Sequence, residues 1–522
     1  EPKWRLFQIA FILMNLESIV NPTSDNRKTV DLLWFPTGGG KTEAYLGLVA
    51  FTIAYRRLRG YKDGAISDQS LGTAVLMRYT LRLLTVQQFQ RAATLMCACE
   101  KLRLQDKKKW GEVPFQIGLW VGSSVTPNSH LEAKIEKSKI KRSRDQSLTS
   151  IKSKNPYVLI NCPWCGNELK YSNGEVGGTP EQWRLYCSRT KCLFAKHLDV
   201  DPDVSIPVVI VDDDIYTRCP SLIISTVDKF AQIAWKPEVK SIFGKVSHHC
   251  DQHGFFDNAI SSGHNHNGKK PDPVTLLPPE LIIQDELHLI SGPLGTLTGL
   301  YETAIEYLCT NDEIQPKIIA STATTKAASD QIRTLFARDN TEIFPPQIAK
   351  FGETFFSNVN PERSAKTYVG VLATGKSGLT VLAKVSSVIL RRIRQFEEDG
   401  EYSKEDLDPY FTLVTYYNSQ RELGGASMNF NDSVPDFIKQ IKNNFDDSPV
   451  LLPITETGEE LSVEESETVE TTEEESKEEE QKHQEALRPY QFKDLLTEEL
   501  TSRKSSGEIP QTLRTLSDGI SK

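Results

Sequence analysis

Apolar and polar positions along the first 350 residues follow two alternating periods. Short apolar runs bounded by Gly, Pro or charged residues are typical of buried strands, and longer segments with an apolar residue every three or four positions are typical of helices. The predicted strands are 30–35, 73–78, 115–121, 206–211, 221–226, 281–284 and 316–321, and the predicted helices are 4–19, 42–59, 83–103 and 294–308. Strands that alternate with helices indicate a parallel sheet of the α/β class.

A second, smaller α/β unit is predicted to start near residue 365. Its pattern gives a strand over 367–373, a helix over 378–397 and a strand over 411–416. Residues 241–275, rich in Gly, His, Asn and Pro, are predicted to form a loop. A length of 522 residues agrees with three or four domains in all.

Charge is distributed very unevenly along the chain. The whole chain carries −9, and residues 456–480 contribute −12 through 13 Glu and one Lys, so the remainder carries +3. We interpret the Glu-rich segment 455–485 as a disordered spacer; the alternative is a nucleic-acid mimic that occupies a basic groove. Residues 126–154 are rich in Lys and Arg and are predicted to be a solvated linker, with contact to a phosphate backbone as the alternative.

The most informative stretch follows the first predicted strand. It reads Pro36-Thr37-Gly38-Gly39-Gly40-Lys41-Thr42 and leads into a predicted helix. A strand, a glycine-rich turn and a helix N-terminus form the setting in which backbone N–H groups cradle phosphates. In such a loop Lys41 is expected to reach the β- and γ-phosphates of ATP, and the Thr42 hydroxyl is expected to bind Mg²⁺. Phe35 stands where this pattern usually has its first glycine.

A second stretch, Gly370 to Ser377, matches the phosphate-loop pattern more completely. The strand predicted after it, however, ends in Thr415-Tyr416-Tyr417-Asn418, without an acid that could hold Mg²⁺. We therefore assign the nucleotide to Lys41 and interpret Lys376 as part of the opening turn of the second unit.

The acids that the first loop needs are predicted to lie at the end of strand 281–284. Asp285 would hold Mg²⁺ and Glu286 would polarise the attacking water. His288 is expected to couple the nucleotide to the rest of the protein. Strand 316–321 ends in a hydroxyl-rich turn whose Ser321, Thr322 and Thr324 are candidates for the same coupling.

Cysteine spacing predicts a metal site inside a small insertion, residues 155–200. Cys162 and Cys165 form one pair and Cys187 and Cys192 a second, which suits a closed, structural Zn²⁺ site. Cys250 and His253, with His264 or His266, are candidates for a weaker second site, although a polar loop is the favoured interpretation there.

Several classes of protein are excluded. No apolar run approaches the roughly 18 residues of a membrane span, so no membrane partner is expected. The nine cysteines do not form a secreted disulfide framework, and no signal peptide precedes the first helix. A cytoplasmic location is therefore expected.

Taken together, these motifs resemble those of superfamily 2 helicases of the DEAH-like type. The resemblance implies a RecA-like ATPase domain (residues 1–125 and 201–350), part of a second RecA-like domain (365–450, continued incompletely in 486–522) and a zinc-binding insertion. It also implies that Gln8 reads the adenine base. Nucleic-acid contacts are implied for five residues: Arg82, Gln87, Thr226, Lys229 and Asn418.

Within this superfamily, the chain resembles the DrmA helicases of DISARM anti-phage defence systems. The similarity is carried by Leu33–Tyr45, by Gln284–Gly295 and by Arg421–Ala426. It implies a DNA substrate with a single-stranded portion and a protein partner resembling the DISARM subunit DrmB.

One part of the superfamily pattern is missing. The sequence contains no motif V and no motif VI with its arginine fingers, so we expect this chain alone to bind ATP but to hydrolyse it poorly. An ATP-dependent helicase or translocase is the favoured function. The alternatives are an ATP-gated DNA-sensing or loading subunit that does not unwind, and an RNA helicase.

Overall fold

The computed structural model describes most of the chain in two compact units. The described residues are 3–35, 38–62, 65–80, 82–142, 148, 154–178, 181–196, 204–250, 252–257, 272–322, 327–346, 348, 353–358, 367–372, 374–400, 402–445, 497–499, 501 and 512. The first unit comprises residues 1–364 with 502–511, and the second comprises residues 365–501 with 512–522.

Helices and strands alternate in the first unit as the sequence predicts. The strands are β1 Val30–Trp34, β2 Tyr61–Lys62, β3 Ala65–Ile66, β4 Val75–Tyr79, β5 Ile117–Trp120, β6 Gly174–Gly177, β7 Gln182–Leu185, β8 Val208–Val209, β9 Leu222–Thr226, β10 His248–Cys250, β11 Gly254–Phe256, β12 Asp272–Pro273, β13 Leu281–Gln284, β14 Lys317–Thr322 and β15 Thr341–Phe344. The helices are α1 Leu6–Val20, α2 Lys41–Arg59, α3 Arg82–Gln105, α4 Lys107–Trp110, α5 His130–Arg142, α6 Asp212–Arg218, α7 Gly292–Cys309 and α8 Ala328–Phe336.

Eight strands form one sheet in the order β15-β1-β14-β13-β4-β9-β5-β8. Every ladder in it is parallel. The predicted α/β parallel-sheet class is therefore confirmed. Because the carboxyl ends of parallel strands share one edge, the turns after β1, β13 and β14 lie side by side, which is where α/β sheets place their ligand sites.

Side chains of the sheet alternate between two cores. Leu33, Met77 and Ile283 face the core that contains α2 and α3 residues. Leu32, Leu76 and Ile282 face the core that contains α7 and α8 residues. A sheet buried on both faces explains why its strands read as nearly continuous apolar runs in the sequence.

The insertion between β5 and β8 packs against α3 of the sheet domain. Its buried Cys162, Trp183 and Phe194 belong to the same core as Phe89 and Cys97 of α3. The Lys101 ammonium lies 5.3 Å from the centre of the Trp164 ring. The cysteine-bearing insertion is therefore an integral part of the first unit.

Part of the basic segment 126–154 forms a helix, in contrast to the prediction of a solvated linker. Helix α5 contains His130, whose Nε2 lies 2.7 Å from Asp214 Oδ1, and Lys134, whose Nζ lies 3.0 Å from Glu181 Oε1. Lys154 pairs with Glu132. Acids from the insertion and from α6 neutralise these charges, so the segment folds against them. Residues 143–147 and 149–153 lie outside the described residues.

The predicted loop 241–275 also contains strands. The strands β10, β11 and β12 form an antiparallel sheet in which His248 pairs with Phe256 and with Pro273. Alternation over three residues is too short to be read as a strand, which is why the sequence pattern missed it.

The second unit contains three helices among its described residues: α9 Gly378–Asp399, α10 Lys404–Leu407 and α11 Gln420–Phe445. Ala383, Val434 and Ile438 form the core between α9 and α11. The strands predicted at 367–373 and 411–416 are not strands in the residues described there. A strand needs a hydrogen-bonded neighbour, and the described part of this unit offers none.

In the part of the chain that the structure describes, no helix combines the length and the apolar character that crossing a membrane requires.

Candidate functional site

The glycine-rich turn after β1 adopts a conformation that requires glycine. Gly38 and Gly40 have φ values of 80° and 95°, in the left-handed region that other residues rarely occupy. A Cβ atom at position 40 would lie 2.7 Å from Gln8 Nε2. Helix α2 begins at Lys41 immediately after this turn, so its free N–H groups face the same space. Thr37 lies outside the described residues.

Lys41 is held between two turns of the sheet edge. Its Nζ donates to the carbonyl of Phe35 at 2.7 Å and lies 3.4 Å from the carbonyl of Thr322. Burial lowers the pKa of Lys41, and the carboxylates of Glu286 and Asp285 oppose that shift. A half-desolvated ammonium between carbonyls and two acids is well placed to exchange them for an anionic ligand.

Asp285 is the centre of a hydrogen-bond network at the end of β13. Its Oδ2 accepts a 2.6 Å bond from the Tyr45 hydroxyl, which lies 3.1 Å from Thr42 Oγ1. Its Oδ1 accepts bonds from Ser321 Oγ and, at 2.9 Å, from the Glu286 backbone N–H. The fold thus brings Thr42, Asp285 and Ser321 together from three separate parts of the chain.

Glu286 and His288 form a second cluster beside Asp285. Glu286 has a φ of 49°, and a non-glycine residue in this left-handed region is a feature that concentrates at functional sites. Its Oε2 lies 3.4 Å from His288 Nδ1, which is also 3.2 Å from Thr322 Oγ1. Burial, followed by the charge of Asp285, raises the pKa of Glu286. Thr324 lies outside the described residues.

Gln8 contacts the glycine-rich turn directly. Its Nε2 donates to the carbonyl of Gly40 at 2.8 Å, and its Oε1 accepts a bond from the Arg5 backbone N–H. The Arg5 guanidinium in turn donates to the carbonyl of Gly39. In this structure, the Gln8 amide therefore anchors the turn to the start of α1, and its role as an adenine reader stays a prediction.

Sequence reasoning missed two residues of this site, Tyr45 and Arg5. Tyr45 lies three positions after Thr42 on α2, so it occupies the same helix face. That spacing was the available signal. Arg5 lies before α1 and carries no motif of its own.

The proposed nucleic-acid contacts require correction at two positions. Lys229 is 3% exposed, and its ammonium forms a 2.7 Å ion pair with Asp212. Thr226 is fully buried at the end of β9. Neither side chain reaches solvent, so neither contacts a nucleic acid in this structure. Gln87 is half-buried on α3, and Asn418 is exposed in the second unit. Arg82 begins α3, but its side chain lies outside the described part of the structure.

Four cysteine sulfurs converge in the insertion. Those of Cys162, Cys165, Cys187 and Cys192 all lie within 4.8 Å of one another. The Cys162–Cys192 and Cys165–Cys187 sulfur distances are 3.9 and 3.5 Å. A tetrahedral Zn²⁺ site with metal–sulfur bonds of about 2.3 Å places its sulfurs about 3.8 Å apart. The cluster therefore has the dimensions of a four-cysteine zinc site, in which four thiolate ligands would leave no open position for catalysis.

The second metal candidate is less complete. Cys250 Sγ lies 3.8 Å from His253 Nδ1, next to the β10–β11 turn. His264 and His266 lie outside the described residues, so a second metal site stays a prediction.

The competing loop at Gly370–Ser377 lacks the setting of a phosphate site in the described residues. Residues 367–372, which lead into the loop and include its first positions, form no strand, and Lys376 is exposed. Ser377 caps α9, because its Oγ accepts a 3.2 Å bond from the Thr380 N–H. These observations support the assignment of the nucleotide to Lys41.

Comparison with known proteins finds a curated relative. The chain is 41% identical over 456 residues to DISARM protein DrmA of Bacillus paralicheniformis. This chain is related to DrmA. The predicted family resemblance is thereby confirmed. The match covers 85% of the chain and 40% of DrmA, so the chain spans less than half the length of this curated relative. No protein-family model matches the chain.

Solved structures offer only a distant likeness. The crystal structure of the DUF1998 helicase MrfA aligns with 86% of the chain at 9% identity and a TM-score of 0.32. Its complex with DNA and AMPPNP aligns with 69% at 10% identity and a TM-score of 0.23. These alignments cover 43% and 35% of MrfA. Likeness at this level carries no information about the geometry of the site described above.

Proposed function

We propose that this chain is the ATP-binding part of an ATP-dependent helicase or translocase that acts on DNA in an anti-phage defence complex. One observation carries the proposal: Tyr45, one turn after the lysine and threonine of the glycine-rich turn, is hydrogen-bonded to Asp285, 240 residues away. A phosphate loop and a metal-binding acid at the same edge of one sheet, here after β1 and β13 with β14 between them, are the two halves of a nucleotide site.

Each residue of the site has a proposed role. The N–H groups of Gly38, Gly39 and Gly40 surround the phosphates, and Lys41 neutralises them. Thr42 and Asp285 supply oxygen ligands, which Mg²⁺ prefers. Glu286 orients the attacking water, and its raised pKa makes it a stronger proton acceptor than an ordinary glutamate. The link from this site to the neighbouring strand end is made by His288, Ser321 and Thr322. In the insertion, the four cysteines bind Zn²⁺ as a structural ion.

The proposed substrate and partner rest on the similarity to DrmA. We propose DNA with a single-stranded portion as the substrate and a protein resembling the DISARM subunit DrmB as the partner. Contact with the DNA backbone would involve Arg82, Gln87 and Asn418, and binding through phosphates would be sensitive to salt.

Separate substitution of the two loop lysines tests the nucleotide assignment. Lys41→Ala is expected to weaken AMPPNP binding by about 10- to 150-fold, because a charge-assisted contact to phosphate is worth roughly 1.5–3 kcal/mol. Lys376→Ala, the matched control in the competing loop, is expected to leave binding unchanged. Isothermal titration calorimetry with Mg²⁺ present measures both. Loss of binding in the Lys376 variant alone would reverse the assignment.

A strand-displacement assay distinguishes the proposed function from its alternative, an ATP-gated sensing subunit. The assay is run on the chain with its partner present. Displacement that depends on Lys41 supports a helicase. ATP-dependent DNA binding without displacement supports the sensing subunit.

A further inference from the structure

The Tyr45 hydroxyl lies between the two side chains proposed to bind Mg²⁺. It donates to Asp285 Oδ2 at 2.6 Å and lies 3.1 Å from Thr42 Oγ1. Tyr45 is 1% exposed, so the contact is made inside the protein and without competition from bulk water. No phosphate-loop motif requires a tyrosine three positions after the threonine.

The direction of these hydrogen bonds follows from the chemistry of the three groups. A tyrosine phenol, with an ordinary pKa of about 10, keeps its proton at neutral pH. It donates that proton to Asp285 Oδ2, because a carboxylate oxygen only accepts. The single phenol proton is therefore used on Asp285, and the Thr42 hydroxyl must donate to the Tyr45 oxygen. This arrangement leaves the Thr42 lone pairs free to face a cation.

The other oxygen of the Asp285 carboxylate is held as well. Ser321 Oγ and the Glu286 N–H donate to Oδ1, while Tyr45 holds Oδ2. With both oxygens held, rotation of the carboxylate about its terminal bond is restrained, and its remaining lone pair, on Oδ2, points in a set direction.

We propose that Tyr45 is a positioning residue for the magnesium ion of the nucleotide site. It orients Thr42 and Asp285 together, so that both offer lone pairs to the same cation; the proposal rests on the nucleotide function proposed above. Outer-shell partners of this kind typically change metal affinity or activity by 10–100-fold when they are removed. Tyr45 touches neither the nucleotide nor the metal in this role, which makes it distinct from the ligands.

The test is the magnesium dependence of nucleotide binding. Tyr45→Phe removes the hydroxyl and keeps the ring. In the 522-residue chain, we expect the Mg²⁺ concentration for half-maximal AMPPNP binding, measured by calorimetry, to rise about tenfold. Tyr55→Phe is the matched control on the same helix, because its hydroxyl donates to the Val20 carbonyl at 3.2 Å, away from the Asp285 network. That variant is expected to match the wild type.

The outcomes separate this inference from the proposed function. An unchanged magnesium dependence in Tyr45→Phe overturns the positioning role and leaves the nucleotide site standing. Absence of Mg²⁺-dependent AMPPNP binding in the wild type overturns the proposed function itself.

A second variant keeps the test decisive if Tyr45→Phe does not fold. Incorporation of 4-aminophenylalanine at position 45 keeps the ring and restores an N–H donor. Wild-type magnesium dependence in this protein supports the role of the hydrogen bond, and a tenfold rise despite the donor contradicts it.

Discussion

At the scale of single residues, burial decides which charged side chains are available for function. Lys41 and Lys229 both follow a strand of the central sheet. Lys41 donates to two backbone carbonyls that a ligand could replace. Lys229 forms an ion pair with Asp212, whose fully buried carboxylate has no contact with solvent that could stabilise its charge. The two lysines look alike in the sequence and differ in what surrounds them.

Lys229 should therefore matter for stability. Lys229→Met leaves the Asp212 carboxylate buried and unpaired, so we expect a loss of about 3–5 kcal/mol in the free energy of unfolding. The Lys229→Met/Asp212→Leu double variant should recover most of it. Lys240→Met removes an exposed lysine that lies 3.8 Å from Asp257 and should cost less than about 1 kcal/mol.

Urea titration followed by circular dichroism measures these differences. DNA affinity is the discriminating second readout. A folded, stable Lys229→Met protein with weakened DNA binding would restore the residue as a nucleic-acid contact.

At the scale of elements, the four-cysteine cluster lies in the core that joins the insertion to α3. Cys162, Cys187 and Cys192 are buried in the same core as Cys97 of that helix. The turn that contains Cys165 is closed by Gly166, whose N–H donates to the Cys162 carbonyl and whose φ is 73°. A metal ion bound by all four cysteines would hold the two turns together.

The metal content and its effect on folding can be measured together. We expect one zinc ion per chain by native mass spectrometry, and none in Cys187→Ser. Loss of the ion should lower the unfolding temperature, by roughly 2–4 °C for each kcal/mol lost in a domain of this size.

Cys250→Ser is the matched control, because Cys250 lies outside the cluster. It should keep one zinc ion. A wild type with two ions, reduced to one in Cys250→Ser, would establish the second site at Cys250 and His253. Full stability without any zinc would contradict the structural role of the cluster.

At the scale of the whole molecule, charge is divided between a slightly basic body and one acidic segment, residues 456–480. That segment lies outside the described residues, so its role as a spacer stays a prediction. Exposed charges interact weakly beyond about 8 Å at physiological salt. A spacer should therefore have little influence on DNA binding elsewhere.

Deletion of residues 456–480 tests this role. We expect the DNA dissociation constant at 150 mM salt to change by less than about twofold. Fluorescence anisotropy at several salt concentrations provides the measurement, with an equal-length Gly/Ser replacement as the control for chain length. Markedly tighter DNA binding in both the deletion variant and the Gly/Ser variant would favour the alternative, in which the acidic segment mimics a nucleic acid.

The elements of the first unit could be predicted because burial leaves a periodic record in the sequence. The predicted helix 42–59 is α2, Lys41–Arg59, and the predicted strand 221–226 is β9, Leu222–Thr226. The second unit was predicted less well. Its apolar runs at 367–373 and 411–416 have the composition of strands, but composition does not supply a neighbouring strand.

The sequence by itself determined the α/β class, the glycine-rich turn, the acid pair and the four cysteines, because each depends on local spacing or on the period of burial. Tertiary structure alone decided which distant groups meet. It placed Tyr45 against Asp285, buried Lys229 beside Asp212 and folded α5 onto the insertion. The physical reason is that a pattern of apolar positions tells which face of an element is buried, while the partner of a buried polar group comes from another part of the chain.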